Sequence, residues 1–447
     1  MPETVGNCGE RIEEIGCEED MISALPDDLL LSILIRLPIK DAVATMFLSK
    51  RWLYTWTMMH ALDYEENNDD ESKKSVWFFL EKSLQLNKAP VLQLFSIELG
   101  PRCPSDADVG KYVAKAVDRG VIVLNLCLLL SGEPTSLPMT LYSCVSLKVL
   151  TLCDKILVDV PSTACLPLLE ILNLSLVVYK NEDSLIRLLS SCPVLMNLLV
   201  NRNKVDNVRK FTVKVPSLLE LIYTNNYPSR DDSSTAGGCL VVDTPVLNEF
   251  YYTDYSGDSC FIENAPCFDE VSIDFDNVIQ SFPDIDKFLK SFSRLLFLEL
   301  ALTDAMMMSW RTIKFSRLRK CKIHPYASDW MDSLLCFLHN TPKLTSLIVC
   351  YNLTDEPRNA STSWSESRSD PECLSSVLKY LRLRNYTGRE EEKELVEYIL
   401  STSKCLKTAT ISFRSLPKFE LEDKATMMEE LKAIPRVSKT SQLLFKT

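Results

Sequence analysis

Histidine is scarce in this 447-residue chain: His60, His324 and His339 are all there is, and glycine is limited to 11 residues. Phosphate-cradling loops depend on clustered glycine, and neither a P-loop nor a dinucleotide-binding glycine pattern occurs. There is no Gly-x-Ser-x-Gly nucleophile elbow. The chain has 16 cysteines but no Cys-x-x-Cys pair, and the closest two, Cys260 and Cys267, are seven residues apart. With so few histidines, no zinc spacing arises. These gaps speak against a catalytic centre, a metal site or a bound cofactor, although spacing alone leaves open a Cys–His pair assembled from distant residues. Positive charge is also in deficit, with a formal net charge of −12. That balance does not suggest a general nucleic-acid or anionic-membrane surface.

Long hydrophobic runs are missing too. The longest strongly apolar stretch, Val121 to Leu130, is interrupted by Asn125. It falls well short of the roughly 20 residues a membrane helix needs. Met1 to Asp20 is acidic and polar, unlike a secretory signal. Many cysteines occupy apolar strand positions, where a free thiol behaves as a small hydrophobe. This usage fits a reducing compartment, so cytoplasm, nucleus or both are expected. The Asn-x-Ser/Thr matches at Asn173, Asn352, Asn359 and Asn385 are then read as chance.

What the chain does have begins near Asp20. Leu25, Leu29, Leu30, Ile33, Leu34 and Leu37 recur at helical spacing. Pro26 suits a first helical turn, Asp27 and Asp28 complement the helix dipole, and Pro38 stops the helix. Further apolar groups follow at Ala42, Val43, Met46 and Phe47, then Trp52, Leu53 and Trp56. Three helices of about ten residues cannot bury so much hydrocarbon among themselves. An apolar face is left for a partner.

From Val91 onward a second pattern appears: an apolar residue, two others, an apolar residue, one other, an apolar residue. Leu147-x-x-Leu150-x-Leu152 is one copy, and others run from Leu92, Phe95 and Ile97 to Leu406, Ala409 and Ile411. Residues two apart in a strand share a face, so Leu150 and Leu152 point inward together. No copy can bury its apolar edge alone, so stacked copies must share one core. The variable repeat length, roughly 21 to 34 residues, brackets that of leucine-rich repeats. Helix-like segments such as Glu182 to Ser191 and Asp284 to Ser291 lie between copies, and a helix is expected over Asp423 to Ile434.

Residues Leu25, Pro26, Asp28, Leu29, Ile33, Leu34, Leu37, Pro38, Asp41, Ala42, Val43, Ser49, Lys50, Arg51, Trp52 and Trp56 resemble an F-box. The run Ser49-Lys50-Arg51-Trp52 followed by Trp56 is similar to that of plant F-box and leucine-rich-repeat proteins. Near the other end, Cys373-Leu374, Leu378, Tyr386, Gly388, Glu391, Glu394, Leu395, Tyr398, Ile399, Leu400, Cys405, Leu406, Lys407 and Ile411 resemble the FBD module of the same proteins. Trp364 and Asp370-Pro371 are looser matches to its usual lead-in. The resemblance implies an α/β fold: a short three-helix F-box, then an irregular solenoid with a parallel-sheet concave face.

The expected organisation is a tail (1–19), the F-box (20–62), a linker and first helix (63–90), the solenoid (91–352), an insertion (353–371), and an FBD-like module with solenoid cap (372–447). A surface insertion is also expected from Asn225 to Gly238. The resemblance further implies a non-catalytic substrate adaptor that docks on a Skp-type linker and, through it, a cullin. Leu25, Pro26, Leu29, Ile33, Leu34, Leu37, Val43 and Trp52 are the expected linker-binding residues, with Trp56 packing on the first repeats.

Strand alternation selects the residues facing a target protein. Glu249, Tyr251, Glu270, Asp274 and Glu299 form an acidic sector. Lys320, Lys322, His324, Tyr380, Arg382 and Arg384 form a later, basic sector. Leu395, Val396 and Ile399, on a helix from Glu390 to Leu400, are expected to cover the last strands. An interaction scaffold that never engages a ligase is the alternative.

Overall fold

The computed structural model describes residues 22, 25–66, 75–104, 106–130, 132–203, 205–225, 238–256, 258–264, 268–275, 285–302, 312–325, 330–351, 369–414 and 421–446. Its centre is one fifteen-stranded sheet whose strands follow one another in chain order, from Ala61–Glu65 at one edge to Gln442–Lys446 at the other. Every neighbouring pair is parallel. Parallel neighbours cannot be joined by a tight hairpin, so each strand must be followed by a return segment. Those segments carry helices such as Val109–Asp118, Glu182–Ser190 and Trp330–His339. Asp108 and Asn181 start the first two by accepting backbone N–H groups at 3.0 Å. Two short sheets lie on the return side: Thr135–Ser136, Ile156–Val158 and Val178–Tyr179, then Lys210–Val213, Cys239–Asp243 and Ser259–Glu263.

The apolar pattern maps directly onto the strands. All three positions of every copy, from Leu92, Phe95 and Ile97 to Leu406, Ala409 and Ile411, are buried in one continuous core. Alternate residues such as Asn125, Thr151 and Tyr251 face the open side. This is an α/β solenoid, as the repeat reading requires. The cysteines of the described residues form no disulfide.

Two strands lie outside the pattern as read. Asp63 to Glu65, assigned to a linker, belongs to the edge strand Ala61–Glu65, whose Leu62 and Tyr64 are fully buried. Met59-x-x-Leu62-x-Tyr64 is in fact a copy of the repeat; the surrounding acidic residues hid it. At the far edge, Gln442–Lys446 adds a strand beyond the FBD-like module. That module contributes two further repeats, with helix Glu390–Thr402 burying Leu395, Val396, Ile399 and Leu400. The later strand therefore forms the edge. The helix expected at Asp423 to Ile434 spans Leu421–Ala433. The expected insertions fall mostly on 226–237 and 352–368, and Trp364 with them, outside the described residues.

Burial places one carboxylate under tension. Asp254 ends the strand Glu249–Asp254 and is 1% exposed. Desolvation pushes its carboxyl up to about 6, outweighing the hydrogen bonds donated by the Ser256 N–H and hydroxyl and by Tyr252. The folded state therefore keeps this proton at a pH where the unfolded chain has lost it. Stability from this group is highest below about pH 4 and declines as pH rises to about 6, by about 3 kcal/mol. Asp254→Asn is expected to flatten that slope. Urea midpoints of variant and parent at pH 4 and pH 7 check it; identical pH dependence would count against the assignment.

Candidate functional site

Three helices precede the sheet: α1 (Asp27–Leu34), α2 (Ile39–Ala44) and α3 (Lys50–Thr57), with a 3-10 turn at Thr45–Phe47. Pro26 and Pro38 stand at the N-caps of α1 and α2, where a missing N–H costs nothing. Ser49 caps α3 by accepting the Trp52 N–H. Arg51 on α3 reaches the start of α1, donating to Asp27 Oδ1 from Nε at 2.9 Å and from Nη2 at 2.7 Å, and also to the Leu25 carbonyl. This strap sets α1 against α3.

The apolar residues of α1 divide into two stripes about 100° apart on the helix. Leu30 and Leu34 are wholly buried, whereas Leu29 is 50% and Ile33 39% exposed, and Leu37, past the end of α1, is 38% exposed. Trp52 and Trp56 on α3 are buried, Ala42 is buried, and Val43 and Leu25 are half-buried against the core. Two of the expected docking residues thus need correcting. Leu34 and Trp52 point into the chain's own core, because i to i+4 spacing aligns Leu34 with Leu30 and Trp52 with Trp56. Pro26, three residues before Leu29, is exposed.

Sequence reasoning also missed four residues. Phe47 is 81%, Leu48 68%, Tyr54 60% and Leu53 41% exposed. The apolar pattern had included Phe47 and Leu53 but not Leu48 or Tyr54, and it did not show which side of the turn and α3 any of them occupies. Together with Leu29, Ile33 and Leu37 they make the hook a bare apolar surface of a kind soluble chains seldom leave uncovered.

The hook is fastened to the sheet. Thr57 and His60 accept backbone N–H groups of Lys88 at 2.6 Å and Gln93 at 2.7 Å, and Asn87 Nδ2 donates to the Met59 carbonyl at 2.9 Å. Buried Trp56 belongs to the same core as the first strands, as the sequence reading expected.

The open sheet face carries the other candidate residues. In-register pairing puts Glu220, Glu249, Glu270, Phe297, Lys320, Ser346 and Tyr380 in one row across the strands. The next row reads Ile222, Tyr251, Ser272, Glu299, Lys322, Ile348 and Arg382. Tyr251 bridges two carboxylates, with its hydroxyl 3.0 Å from Glu270 Oε1 and 3.2 Å from Glu249 Oε2. Desolvation, then those two carboxylates, raise its phenol above the ordinary value and keep it protonated. Asp274 accepts from Tyr255 at 2.9 Å.

Glu299 is held by Lys322 and, at 2.8 Å, by His324 Nε2. Burial pushes the Glu299 carboxyl up, but these two hydrogen bonds outweigh it and leave it below its usual value. The Lys320 ammonium sits 4.5 Å from the Phe297 ring centroid. Tyr380, Arg382 and Arg384 are exposed. The expected residues therefore share one face, but the two charge sectors meet in an internal ion-pair cluster rather than at a simple boundary.

No group of three or more His, Cys, Asp or Glu side chains suited to a metal ion occurs among the described residues. No helix among them is long and apolar enough to cross a membrane.

An apolar three-helix hook ahead of a leucine-rich-repeat sheet defines an F-box solenoid. Family models agree: residues 22–62 match the F-box domain, residues 110–273 the LRR repeats of the FBD-associated F-box protein At5g56370, and residues 366–411 the FBD module. Among its relatives in Arabidopsis thaliana, the chain is 53% identical over 445 residues to the FBD-associated F-box protein At1g05080, covering 98% of this chain and 99% of that one. It is 43% identical to the F-box/FBD/LRR-repeat protein At1g22000, over 100% of this chain and 94% of the relative. It is 34% identical to the F-box/FBD/LRR-repeat protein At4g26340, over 95% and 100%. The chain belongs to this plant F-box/FBD/LRR-repeat family.

Proposed function

We propose that the protein is a non-catalytic substrate adaptor of a cullin-based, SCF-type ubiquitin ligase. The F-box hook docks on a Skp-type linker and, through it, on a cullin, while the open sheet face holds a target protein. The contribution of this chain is effective concentration: a target lysine is held near a charged conjugating enzyme without bond chemistry by the adaptor itself. The assembly works in cytoplasm or nucleus, in keeping with cysteines that form no disulfide among the described residues.

The observation that carries the reading is the bare apolar side of the hook, where Leu29, Ile33, Leu37 and Phe47 stay exposed although Leu30, Leu34, Ala42, Trp52 and Trp56 are packed into the chain's own core. Leu25, Pro26 and Val43 are assigned to the same docking side. On the sheet, Glu249, Tyr251, Glu270, Asp274, Glu299, Lys320, Lys322, His324, Tyr380, Arg382 and Arg384 face the target. Exposed Tyr380 and half-buried Tyr251 supply aromatic contact area.

Co-expression with a Skp-type linker tests the first half. The two chains are expected to leave a gel-filtration column as one complex, and an intact adaptor eluting without the linker would refute the reading. Proteins that accumulate on a form lacking the hook, but not on one lacking the repeats, then identify the target.

A further inference from the structure

The charges on the open sheet face are not evenly compensated. Glu299 neutralises Lys322 and accepts a hydrogen bond from His324 Nε2 in the middle of the face. On one side, Glu249 and Glu270 stand in register on adjacent strands and share the neutral Tyr251 hydroxyl, and no Lys, Arg or His of the described residues pairs with either. On the other side, Arg382 and Arg384 are exposed on the strand Tyr380–Tyr386, and no carboxylate of the described residues pairs with them. Two carboxylates side by side repel each other, as do two guanidinium groups two residues apart on the same face of a strand. Each sector is therefore better satisfied when an opposite charge arrives from outside.

The sheet register fixes the distance between the sectors. Glu270 is four strand steps from Tyr380, through Phe297, Lys320 and Ser346. At the spacing of neighbouring strands this is about 19 Å, and from Glu249 about 24 Å. An extended chain advances about 3.3 Å per residue, so about six to seven residues cover the gap. The row between the sectors offers the Phe297 ring, the Lys320 ammonium 4.5 Å from the centroid of that ring, and the Ser346 hydroxyl, so the single charge in this row already rests on an aromatic face and a neutral segment can cross it.

We propose that the occupant of this face is an extended, dipolar protein segment: Lys or Arg side chains over Glu249 and Glu270, and Asp or Glu side chains over Arg382 and Arg384, separated by about six residues. This rests on the target-holding role given above and specifies the class of target. A segment of one sign would gain at one sector and be repelled at the other, so the face discriminates by charge order and spacing.

The test uses the full chain co-purified with a Skp-type linker and fluorescein-labelled peptides read by anisotropy at low salt. The probe carries Lys-Arg-Lys and Asp-Glu-Asp blocks separated by six neutral residues. It is expected to bind at least about tenfold more tightly than a two-residue-spacer version or peptides of a single sign. The Glu249→Lys/Glu270→Lys pair and the Arg382→Glu/Arg384→Glu pair are each expected to lose at least about tenfold. Combining all four reversals should restore binding, because the peptide can lie in the opposite direction. That rescue separates charge recognition from damage to the fold.

Equal affinity for all peptides, or no recovery in the fourfold variant, overturns the proposal. A phosphorylated single-sign peptide binding more tightly than the dipolar probe overturns it as well, in favour of a phosphate-reading face. None of these outcomes touches linker capture, so the adaptor reading stands or falls separately.

Discussion

A Leu29→Asp/Ile33→Asp variant is expected to lose the Skp-type linker altogether while keeping its fold. Both side chains lie on the solvent side of α1, 50% and 39% exposed, so aspartate there meets water in the free chain. In a complex the same positions would be desolvated. Each apolar side chain covered is worth about 1.5–3 kcal/mol, and each buried unpaired carboxylate costs several more. The combined loss exceeds about 4 kcal/mol, or about a thousandfold in affinity. Co-purification with the linker reads the effect, and an unchanged far-ultraviolet spectrum confirms the fold. A variant that still carries the linker through gel filtration would remove the docking assignment. Leu34 makes the contrast: it is fully buried beside Leu30, so Leu34→Ala is expected to destabilise the hook by about 2–5 kcal/mol through a cavity.

Asp206→Ala is expected to give the largest loss of stability among the polar positions. Arg202 leaves the strand Asn197–Asn201 and turns inward at 7% exposure. Its guanidinium is held by Asp206, including Nη2 to Oδ1 at 2.8 Å, by the Tyr223 hydroxyl at 3.0 Å and by the Val208 carbonyl, and it lies 5.3 Å from the Phe211 ring centroid. Together these contacts pin the connection from the open sheet to the outer strand Lys210–Val213. Removing Asp206 leaves a buried cation without its counter-charge, at a cost of about 3–5 kcal/mol. Replacing both Arg202 and Asp206 by leucine should cost much less, because neither charge is then buried. Urea midpoints, together with hydrogen-exchange protection across residues 197–225, measure both variants. A single variant as stable as its parent would show that the pair does not hold the turn.

The inward positions of the repeat were readable before any coordinates, because burial against neighbouring copies forces one apolar spacing at every strand. The same spacing revealed the return helices at Glu182–Ser190 and Ile285–Lys290 to within two residues. It failed at Asp63, where Leu62 and Tyr64 alternate with two acidic residues, Asp63 and Glu65, that suggested solvent. A strand at a sheet edge tolerates such charges on its open side, so composition and structure point different ways there. The hook was legible as apolar and unfinished but not as to direction. On a helix as short as α1, apolar residues on two adjacent stripes look like one face until α3 packs against one of them.

The outward residues of the sheet illustrate the same limit. Local alternation was enough to list Glu249, Glu299, Lys322 and Arg382 as outward. It could not tell that Glu299 lies beside Lys322 on the next strand and cancels it, leaving Glu249 and Arg382 uncompensated. Local order along the chain dictated the repeat, its core and the family, since each follows from spacings of a few residues. Which apolar side of the hook stays bare, and which charges on the sheet lack partners, was settled by residues 20 or more positions apart in sequence meeting across α1 and α3 or across adjacent strands.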